Sequence, residues 1–355
     1  MGAVPFLGVA DAARWIARRG PAPLLAALGD RLERDLARWP SFELRPRLAS
    51  HTKEGVVELM PTRDADRFAF KYVNGHPGNP ALGLQTVAAF GVLADVRTGY
   101  PLLVAEMTLL TALRTAATSA LAARLLARAD ASSMALVGTG AQAEFQALAL
   151  RDALGVERVR AWDVDPAALA KFGAHARALG LDVVLASDVE DAVRSADVVT
   201  TCTADKRRAV VLPDELVVAG VHLNAIGGDC PGKTELDART VARARVFVEH
   251  EPQTRVEGEI QQLEPDFPVT ELWQVVTGRA PARTSDADVT LWDSVGFAVE
   301  DLTVLRLAYD EVVGTDLVVP LDLVAEPGDP KDLFGLVAGA AGVRPSRPVA
   351  AAAGR

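Results

Sequence analysis

The sequence contains few of the residues that build disulfide-linked or metal-binding proteins. Cys202 and Cys230 are the only cysteines among 355 residues, and the five histidines are scattered along the chain. Two such cysteines match no metal-ligand spacing, and they need no oxidising compartment. We therefore predict that the protein has no metal site and is cytoplasmic.

Positive charge and long apolar runs are also scarce. The chain has 37 Lys and Arg against 47 Asp and Glu, which gives a formal net charge of −10. A nucleic-acid partner would require a basic surface. No uninterrupted apolar run approaches the roughly 18 residues that span a bilayer, and the first twenty residues lack the pattern of a signal peptide. The sequence thus predicts neither a nucleic-acid nor a membrane partner. The negative charge is compatible with a cationic small-molecule substrate, although net charge alone selects none.

The chain changes character along its length, which suits two domains. A long helix is predicted over residues 11–39, and short apolar stretches between Pro- and Gly-containing turns follow up to about residue 107. That second pattern is typical of a β-rich domain. From residue 134 strand and helix patterns alternate, as in a doubly wound parallel sheet. Residues 341–355, rich in Pro, Ala, Gly and Arg, are predicted to be disordered.

The most informative stretch begins with four apolar residues, 134–137, that predict a buried strand. Gly138, Gly140 and Ala143 follow at the spacing G-x-G-x-x-A, and a helix pattern extends to about residue 154. The first glycine permits a tight turn, the second admits a pyrophosphate, and the small third residue lets helix and strand pack closely. The pattern favours a dinucleotide site over an ordinary strand–turn–helix unit.

A second predicted strand, residues 158–162, ends on Asp163, which lies 23 residues after Gly140. An acid roughly 20 residues beyond the glycines can accept the ribose hydroxyls of NAD, and it would repel the 2′-phosphate of NADP. The predicted cofactor is therefore NAD. We predict an α/β fold, in which a Rossmann-type doubly wound domain over 116–299 joins a β-rich α+β domain formed by 1–115 and 300–340.

Charged residues interrupt the strands of the β-rich domain. Arg47, Glu58 and Lys71 lie within or beside predicted strands, and Arg114 lies near the start of a helix predicted over 109–128. Taken singly, each strand residue is compatible with a solvated strand face. Two cations on neighbouring strands can also clamp a carboxylate, which Arg does best through two parallel hydrogen bonds.

Asp229 follows a predicted strand, residues 222–226, and the two glycines 227 and 228. Ligands of doubly wound sheets gather at the carboxyl ends of the strands, which places the 201–205 loop and Asp229 near the cofactor. A carboxylate beside a nicotinamide can act as general base for an amine. The alternative is a helix N-cap, because the sequence that follows Asp229 can begin a helix.

Several of these segments occur together in one protein family. They begin at Lys71 (KYVNGHP), Leu113 (LRTAATS), Gly138 (GTGAQ), His222 (HLNAIGGDCPGKTEL), Glu251 (EPQTRVEGEIQQ) and Trp292 (WDSVGF). Over residues 42–313 the sequence closely resembles the ornithine cyclodeaminase/μ-crystallin family. The resemblance implies a homodimer in which the β-rich domains pair, so that this domain binds substrate and mediates dimerisation.

The resemblance also implies an activity, the NAD-dependent conversion of L-ornithine to L-proline and ammonia. By position, the family's carboxylate clamp corresponds to Arg47, Lys71 and Arg114, its substrate-side carboxylate to Glu58, and its catalytic acid to Asp229. The cofactor positions carried over are Gly138, Gly140, Ala141, Gln142, Ala143, Asp163 and Thr203.

Three alternatives remain open at the level of sequence. A sibling enzyme would convert L-lysine to L-pipecolate, and one methylene in a pocket changes binding by only about 1–3 kcal/mol. An imine reductase or amino-acid dehydrogenase would consume its cofactor stoichiometrically. A μ-crystallin-like protein would bind the nucleotide without catalysis, but such a protein has no need of a base at Asp229.

Overall fold

A computed structural model describes residues 2–204 and 208–341. The predicted disordered tail, 341–355, lies outside the described residues except for Ala341. The same holds for Asp205, the last residue of the loop that was predicted to lie near the cofactor.

Strands and helices are numbered here in chain order. The strands are β1 (Ala3–Leu7), β2 (Leu48–His51), β3 (Val56–Arg63), β4 (Arg67–Gly75), β5 (Ala89–Asp95), β6 (Pro101–Glu106), β7 (Ser133–Val137), β8 (Arg158–Trp162), β9 (Asp182–Leu185), β10 (Val198–Thr201), β11 (Arg208–Leu212), β12 (His222–Ala225), β13 (Thr234–Leu236), β14 (Arg245–Val248), β15 (Thr270–Glu271), β16 (Thr290–Asp293) and β17 (Val319–Asp322). The helices are α1 (Val9–Arg19), α2 (Pro21–Ala37), α3 (Thr108–Leu126), α4 (Ala143–Leu154), α5 (Pro166–Ala178), α6 (Val189–Val193), α7 (Ala238–Arg243), α8 (Glu251–Glu257), α9 (Leu272–Val276), α10 (Ala298–Val312) and α11 (Leu333–Ala340).

The first sheet has the strand order β17-β1-β6-β5-β4-β3-β2, and its neighbours are antiparallel except for β1 and β6. Its strands form because alternate residues enter the core. In β4, for example, Ala69, Lys71 and Val73 are buried while the residues between them are less covered. Helix α10 packs on β3, β4 and β5, and α2 packs on α3 and α10. One face of the sheet is therefore covered by helices.

The second sheet is parallel throughout, with the order β15-β14-β16-β12-β10-β7-β8-β9. The chain moves from β7 outward through β8 to β9, and it then returns to place β10 on the other side of β7. This reversal is the topological switch point where doubly wound sheets bind ligands. The structure thus confirms the predicted fold class, a parallel Rossmann-type sheet beside a separate, mostly antiparallel one.

Helix α3 connects the two sheets and packs against both α2 and α4. Within residues 2–204 and 208–341, it is the one helix long and apolar enough to cross a membrane, and 72% of that stretch is buried inside the protein. Such burial is what the core helix of a globular protein shows. The predicted domain boundary at residue 115 falls inside this continuous helix, and the boundaries stay a prediction.

Several predicted elements were wrong in detail. The helix predicted over 11–39 is divided at Gly20, whose φ of 82° suits glycine and ends α1 before Pro21 begins α2. Strands β1, β11, β13, β15, β16 and β17 were missed. Helix α10 begins at Ala298, after β16 and a short connection.

Candidate active site

The glycine-rich turn lies at the switch point, where β7 and β10 end side by side. Gly138 has a φ of 99°, and a Cβ there would lie 2.8 Å from the carbonyl oxygen of Cys202. No heavy atom lies within 4 Å of a Cβ placed on Gly140, while Ala143 is fully buried at the start of α4. Each small residue therefore has the task that the spacing predicts: a tight turn, an open approach and close helix packing. Ala141 and Gln142 lie between them, directly before α4.

Asp163 lies across from this turn, at the carboxyl end of β8. Its Oδ2 accepts hydrogen bonds from Thr139, 2.5 Å from the backbone nitrogen and 2.9 Å from Oγ1. Its Oδ1 accepts a 2.8 Å bond from the backbone nitrogen of Asp165. The carboxylate is thus fixed beside the glycine-rich turn, which is where a ribose would meet it.

Thr203 follows β10 on the other side of the turn. Its backbone nitrogen donates a 2.7 Å hydrogen bond to Glu235 Oε1, and its hydroxyl donates to the same oxygen. Its carbonyl oxygen lies 3.1 Å from the ammonium of Lys233. Lys233 and Glu235 therefore hold Thr203 in place beside the glycine-rich turn.

Lys71 and Arg114 meet at one buried carboxylate. Lys71 Nζ lies 2.9 Å from Asp301 Oδ1, and Arg114 Nε lies 3.1 Å from the same oxygen. Arg114 Nη1 also donates a 2.6 Å bond to Glu300. The side chain of Lys71 is 1% exposed and that of Asp301 is 0% exposed. The first residues of α10 thus bring together two cations that belong to β4 and α3.

Arg47 lies just before β2 and points into the same cluster. Its Nη1 donates a 3.1 Å bond to Glu58, and its Nη2 donates 2.7 Å bonds to the carbonyl oxygens of Val295 and Gly296. Its Nε lies 3.1 Å from Glu257 Oε2. The guanidinium is therefore held by three elements, and its orientation is set by the connection that follows β16.

The charges of this cluster perturb one another strongly. Burial lowers the pKa of Lys71 to about 8, against the attraction of Asp301, and the repulsion of Arg114 and Arg47 lowers it further. Burial raises the pKa of Glu249 and of Glu300. Such perturbation is typical of functional sites.

Carboxylates outnumber cations in this cluster. Five buried carboxylates surround the three cations: Glu58, Glu249, Glu257, Glu300 and Asp301. If every group were ionised, the cluster would carry two negative charges in excess. A ligand with more ammonium than carboxylate groups would relieve that excess.

Asp229 lies in the bend between β12 and β13, with a side chain that is 50% exposed. Lys233 Nζ lies 3.4 Å from its Oδ1. Its charge also raises the pKa of both Arg47 and Glu257, after the larger effects of burial and of nearer groups. The N-cap alternative for Asp229 is wrong, since β13 and not a helix follows it, and Asp237 caps α7.

The sequence-predicted residues therefore form two groups at one edge of the parallel sheet. Arg47, Glu58, Lys71 and Arg114 come together at the cluster, while the glycines, Asp163 and Thr203 surround the switch point. The acids of the cluster other than Glu58 were missed: Glu249, Glu257, Glu300 and Asp301. Glu257 belongs to the EPQTRVEGEIQQ segment, which offered a signal, whereas Asp301 lies in an apolar helix pattern that offered none.

A separate cavity lies beside α2, β4 and α10. It has a volume of about 320 Å³ and is lined by Arg38, Asp64, Arg67, Arg306 and neighbouring residues of α2, β4 and α10. Arg38 and Arg306 both bind Asp64 there. Neither the glycine-rich turn nor the residues of the buried cluster line this cavity.

Gly296 provides a test of how tightly the cluster is built. Its φ is 74°, and a Cβ there would lie 2.5 Å from Arg114 Nη1. We expect Gly296→Ala to displace Arg114 and raise KM for a carboxylate substrate by at least about tenfold, beyond a strain cost of about 1–2 kcal/mol. Thermal unfolding and steady-state kinetics measure the two effects.

Gly314→Ala is the matched control, because Gly314 has a φ of 86° with no atom within 4 Å of a Cβ. It should show the strain cost and normal kinetics. If both variants had the same KM, Arg114 would not need the space above Gly296.

Comparison with known proteins places the chain in a family. A profile of the Ornithine cyclodeaminase/mu-crystallin family matches residues 20–316. The chain belongs to this family. A family relative, an ornithine cyclodeaminase of Agrobacterium fabrum (strain C58), is 53% identical over 334 residues, which are 94% of each chain.

Solved structures of the family have the same architecture. A lysine cyclodeaminase, studied for its recognition of L-lysine, L-ornithine and L-2,4-diaminobutyric acid, has a TM-score of 0.88 at 35% identity, covering 93% of this chain and 99% of that one. An archaeal alanine dehydrogenase dimer with bound NAD has a TM-score of 0.82 at 30% identity, covering 90% and 99% of the two chains. The predicted family and its fold are therefore confirmed.

Proposed function

We propose that this protein is an ornithine cyclodeaminase, which converts L-ornithine to L-proline and ammonia with NAD as a catalytic cofactor. The observation that carries the proposal is the excess of buried carboxylates around three cations, next to a glycine-rich switch point. L-Ornithine has two ammonium groups and one carboxylate, so its charge complements this cluster. The 53% identical ornithine cyclodeaminase supports the same substrate.

The cationic side chains bind the carboxylate of the substrate, and the acidic ones bind its amines. Lys71, Arg114 and Arg47 hold the α-carboxylate, and Glu58 receives an amine. Asp229, at the mouth of the site, accepts a proton from the α-amine, which permits hydride to leave Cα. The glycine-rich turn, Asp163 and Thr203 would hold NAD, which would supply reversible hydride transfer without being consumed. Holding the chain folded, with the δ-nitrogen near Cα, removes much of the entropic barrier to ring closure.

One incubation tests the activity. L-Ornithine labelled with ¹⁵N at the α-position is mixed with the enzyme and a sub-stoichiometric amount of NAD. Unlabelled proline in excess of the cofactor, together with labelled ammonia, is the expected result. No proline, with pipecolate formed from L-lysine, would assign the lysine activity found in the structural neighbour of that name. Inactivity on both substrates would leave a reductase or a nucleotide-binding protein.

The protein is a homodimer in this proposal, and the uncovered face of the first sheet forms the interface. Leu48, Leu59 and Phe90 are exposed on that face at 66%, 42% and 44%. Tyr72 of β4 stacks on Phe90, with ring centroids 5.1 Å apart. Contiguous apolar surface of this kind marks an interaction site, and a second copy of the same sheet is its occupant. The related alanine dehydrogenase is a dimer. Sedimentation of Leu59→Asp should then show monomers.

Asp163 sets the cofactor preference in this proposal. We expect Asp163→Ser to reduce the preference for NAD over NADP by about 10- to 100-fold, because a charged acceptor of ribose hydroxyls is lost. The ratio of kcat/KM for the two cofactors measures the effect. Asp165→Ser is the control, since serine also serves as an N-cap for α5. An unchanged ratio in Asp163→Ser would assign the preference to another residue.

A further inference from the structure

Glu257 is a buried acid to which the steps above assign no task. It is the last residue of α8, and its side chain is 9% exposed. Its Oε2 forms an ion pair with Arg47 Nε at 3.1 Å, but it accepts no hydrogen bond within the part of the chain that the structure describes. The carboxylate therefore faces the cluster with an oxygen that the protein leaves incompletely bonded.

The proposed reaction involves two amines, and each must lose a proton at a different stage. The α-amine must be neutral before hydride leaves Cα, and the δ-amine must be neutral before it attacks that carbon, because an ammonium group is no nucleophile. Asp229 is half-exposed on a loop, whereas Glu257 is buried against Arg47. Two acids in such different surroundings suit two separate proton acceptors.

We propose that Glu257 binds the distal ammonium of a diamino-acid substrate and accepts its proton, which makes it a specificity-determining residue. The inference rests on the proposed function. In the step, one proton moves from the δ-nitrogen to Glu257 Oε2, the nitrogen keeps its electron pair, and no oxidant or reductant takes part. Arg47 holds the substrate carboxylate in this proposal and also contacts Glu257. One guanidinium therefore contacts the group at one end of the substrate and the residue that binds the other end.

The electrostatic setting favours this role. Burial raises the pKa of Glu257 to about 7, against the attraction of Arg47, and the charges of Glu58, Asp229 and Glu249 raise it further. These are the charged groups that face it from the neighbouring elements. Glu257 can therefore accept a proton above about pH 7, and this capacity is lost as the pH falls below that value. An arriving ammonium group would stabilise its charged form.

A merely structural role for Glu257 would give a different result. If the carboxylate only positioned Arg47, its loss would weaken the binding of every amino acid that presents an α-carboxylate. L-Norvaline distinguishes the two cases, because it has the carbon chain of L-ornithine without the distal amine. A residue that binds the distal ammonium affects L-ornithine alone.

Calorimetry measures the binding of L-ornithine and of L-norvaline to the NADH complex, in which hydride cannot leave the substrate. We expect Glu257→Gln to weaken the binding of L-ornithine by roughly 100-fold, as for the loss of one partner of a buried charge pair. The affinity for L-norvaline should stay within about twofold of the wild-type value. The acidic limb of the kcat/KM profile near pH 7 should disappear as well. Glu251→Gln is the matched control, since Glu251 begins the same helix and binds Arg255.

Equal weakening of both ligands would assign Glu257 to positioning Arg47, and unchanged binding of both would overturn the proposal outright. If Glu257→Gln does not fold, Glu257→Asp keeps the charge and withdraws it by one methylene, and it should lower ornithine affinity selectively. A wild-type protein that makes no proline would refute the proposed function instead, so the two failures are distinguishable.

Discussion

Asp229→Asn is expected to lower the turnover of L-ornithine by about 10³-fold, while the affinity for NAD stays within about twofold of the wild-type value. Asparagine matches aspartate in shape but cannot accept the proton of the α-amine. Asp163 is held by Thr139 and Asp165, and Thr203 keeps its hydrogen bonds to Glu235 when the charge of Asp229 is removed. Single-turnover formation of NADH measures the hydride step directly, and fluorescence titration measures nucleotide binding.

Asp237→Asn serves as the control for that variant. Asp237 lies eight residues further on and accepts a 2.8 Å hydrogen bond from the backbone nitrogen of Arg239 as the N-cap of α7. Asparagine caps helices as well as aspartate, so activity should be unaffected. Wild-type turnover in Asp229→Asn would remove Asp229 from the role of base.

Lys71→Met should have a large effect on both substrate binding and stability. Methionine has a similar length but no charge, so the carboxylate of Asp301 would retain only Arg114 as a cationic partner. Removing one member of a buried ion pair costs about 3–5 kcal/mol of unfolding free energy. We also expect KM for L-ornithine to rise by at least about 100-fold, since the clamp loses one of three cations. Urea unfolding and steady-state kinetics measure the two effects.

A second substitution separates the two effects. Adding Asp301→Asn to Lys71→Met removes the buried charge that has lost its lysine partner, so stability should recover substantially while KM remains high. If KM recovered together with stability, Lys71 would act through folding, and its assignment to the carboxylate clamp would be wrong.

The geometry of the glycine-rich turn was predictable from the sequence because its information is local. Gly138, Gly140 and Ala143 act within a single strand–turn–helix unit, and their spacing reflects backbone geometry that any chain must satisfy there. Asp163 could be identified in the same way, as the end of the next strand. The bounds of β8, predicted as 158–162, agree with the structure for this reason.

The charged residues of the β-rich domain were harder to interpret. Taken singly, Arg47, Glu58 and Lys71 were compatible with a solvated strand face, and that alternative is wrong for all three, since their side chains are buried. Alternation along a strand shows which residues share a face, but it does not show which face a helix will cover. The family resemblance, and not the periodicity, identified them as a set.

Glycine spacing, strand–helix alternation and the charge balance were properties of the chain alone, and they predicted a Rossmann-type domain beside a β-rich one. The ion pairs of the cluster were decided by the tertiary structure. Lys71 and Asp301 are 230 residues apart in sequence, and Arg114 and Glu300 are 186 apart. Coulombic pairing depends on distance and on exclusion of water, and only the packing of α10 against β4 and α3 sets both.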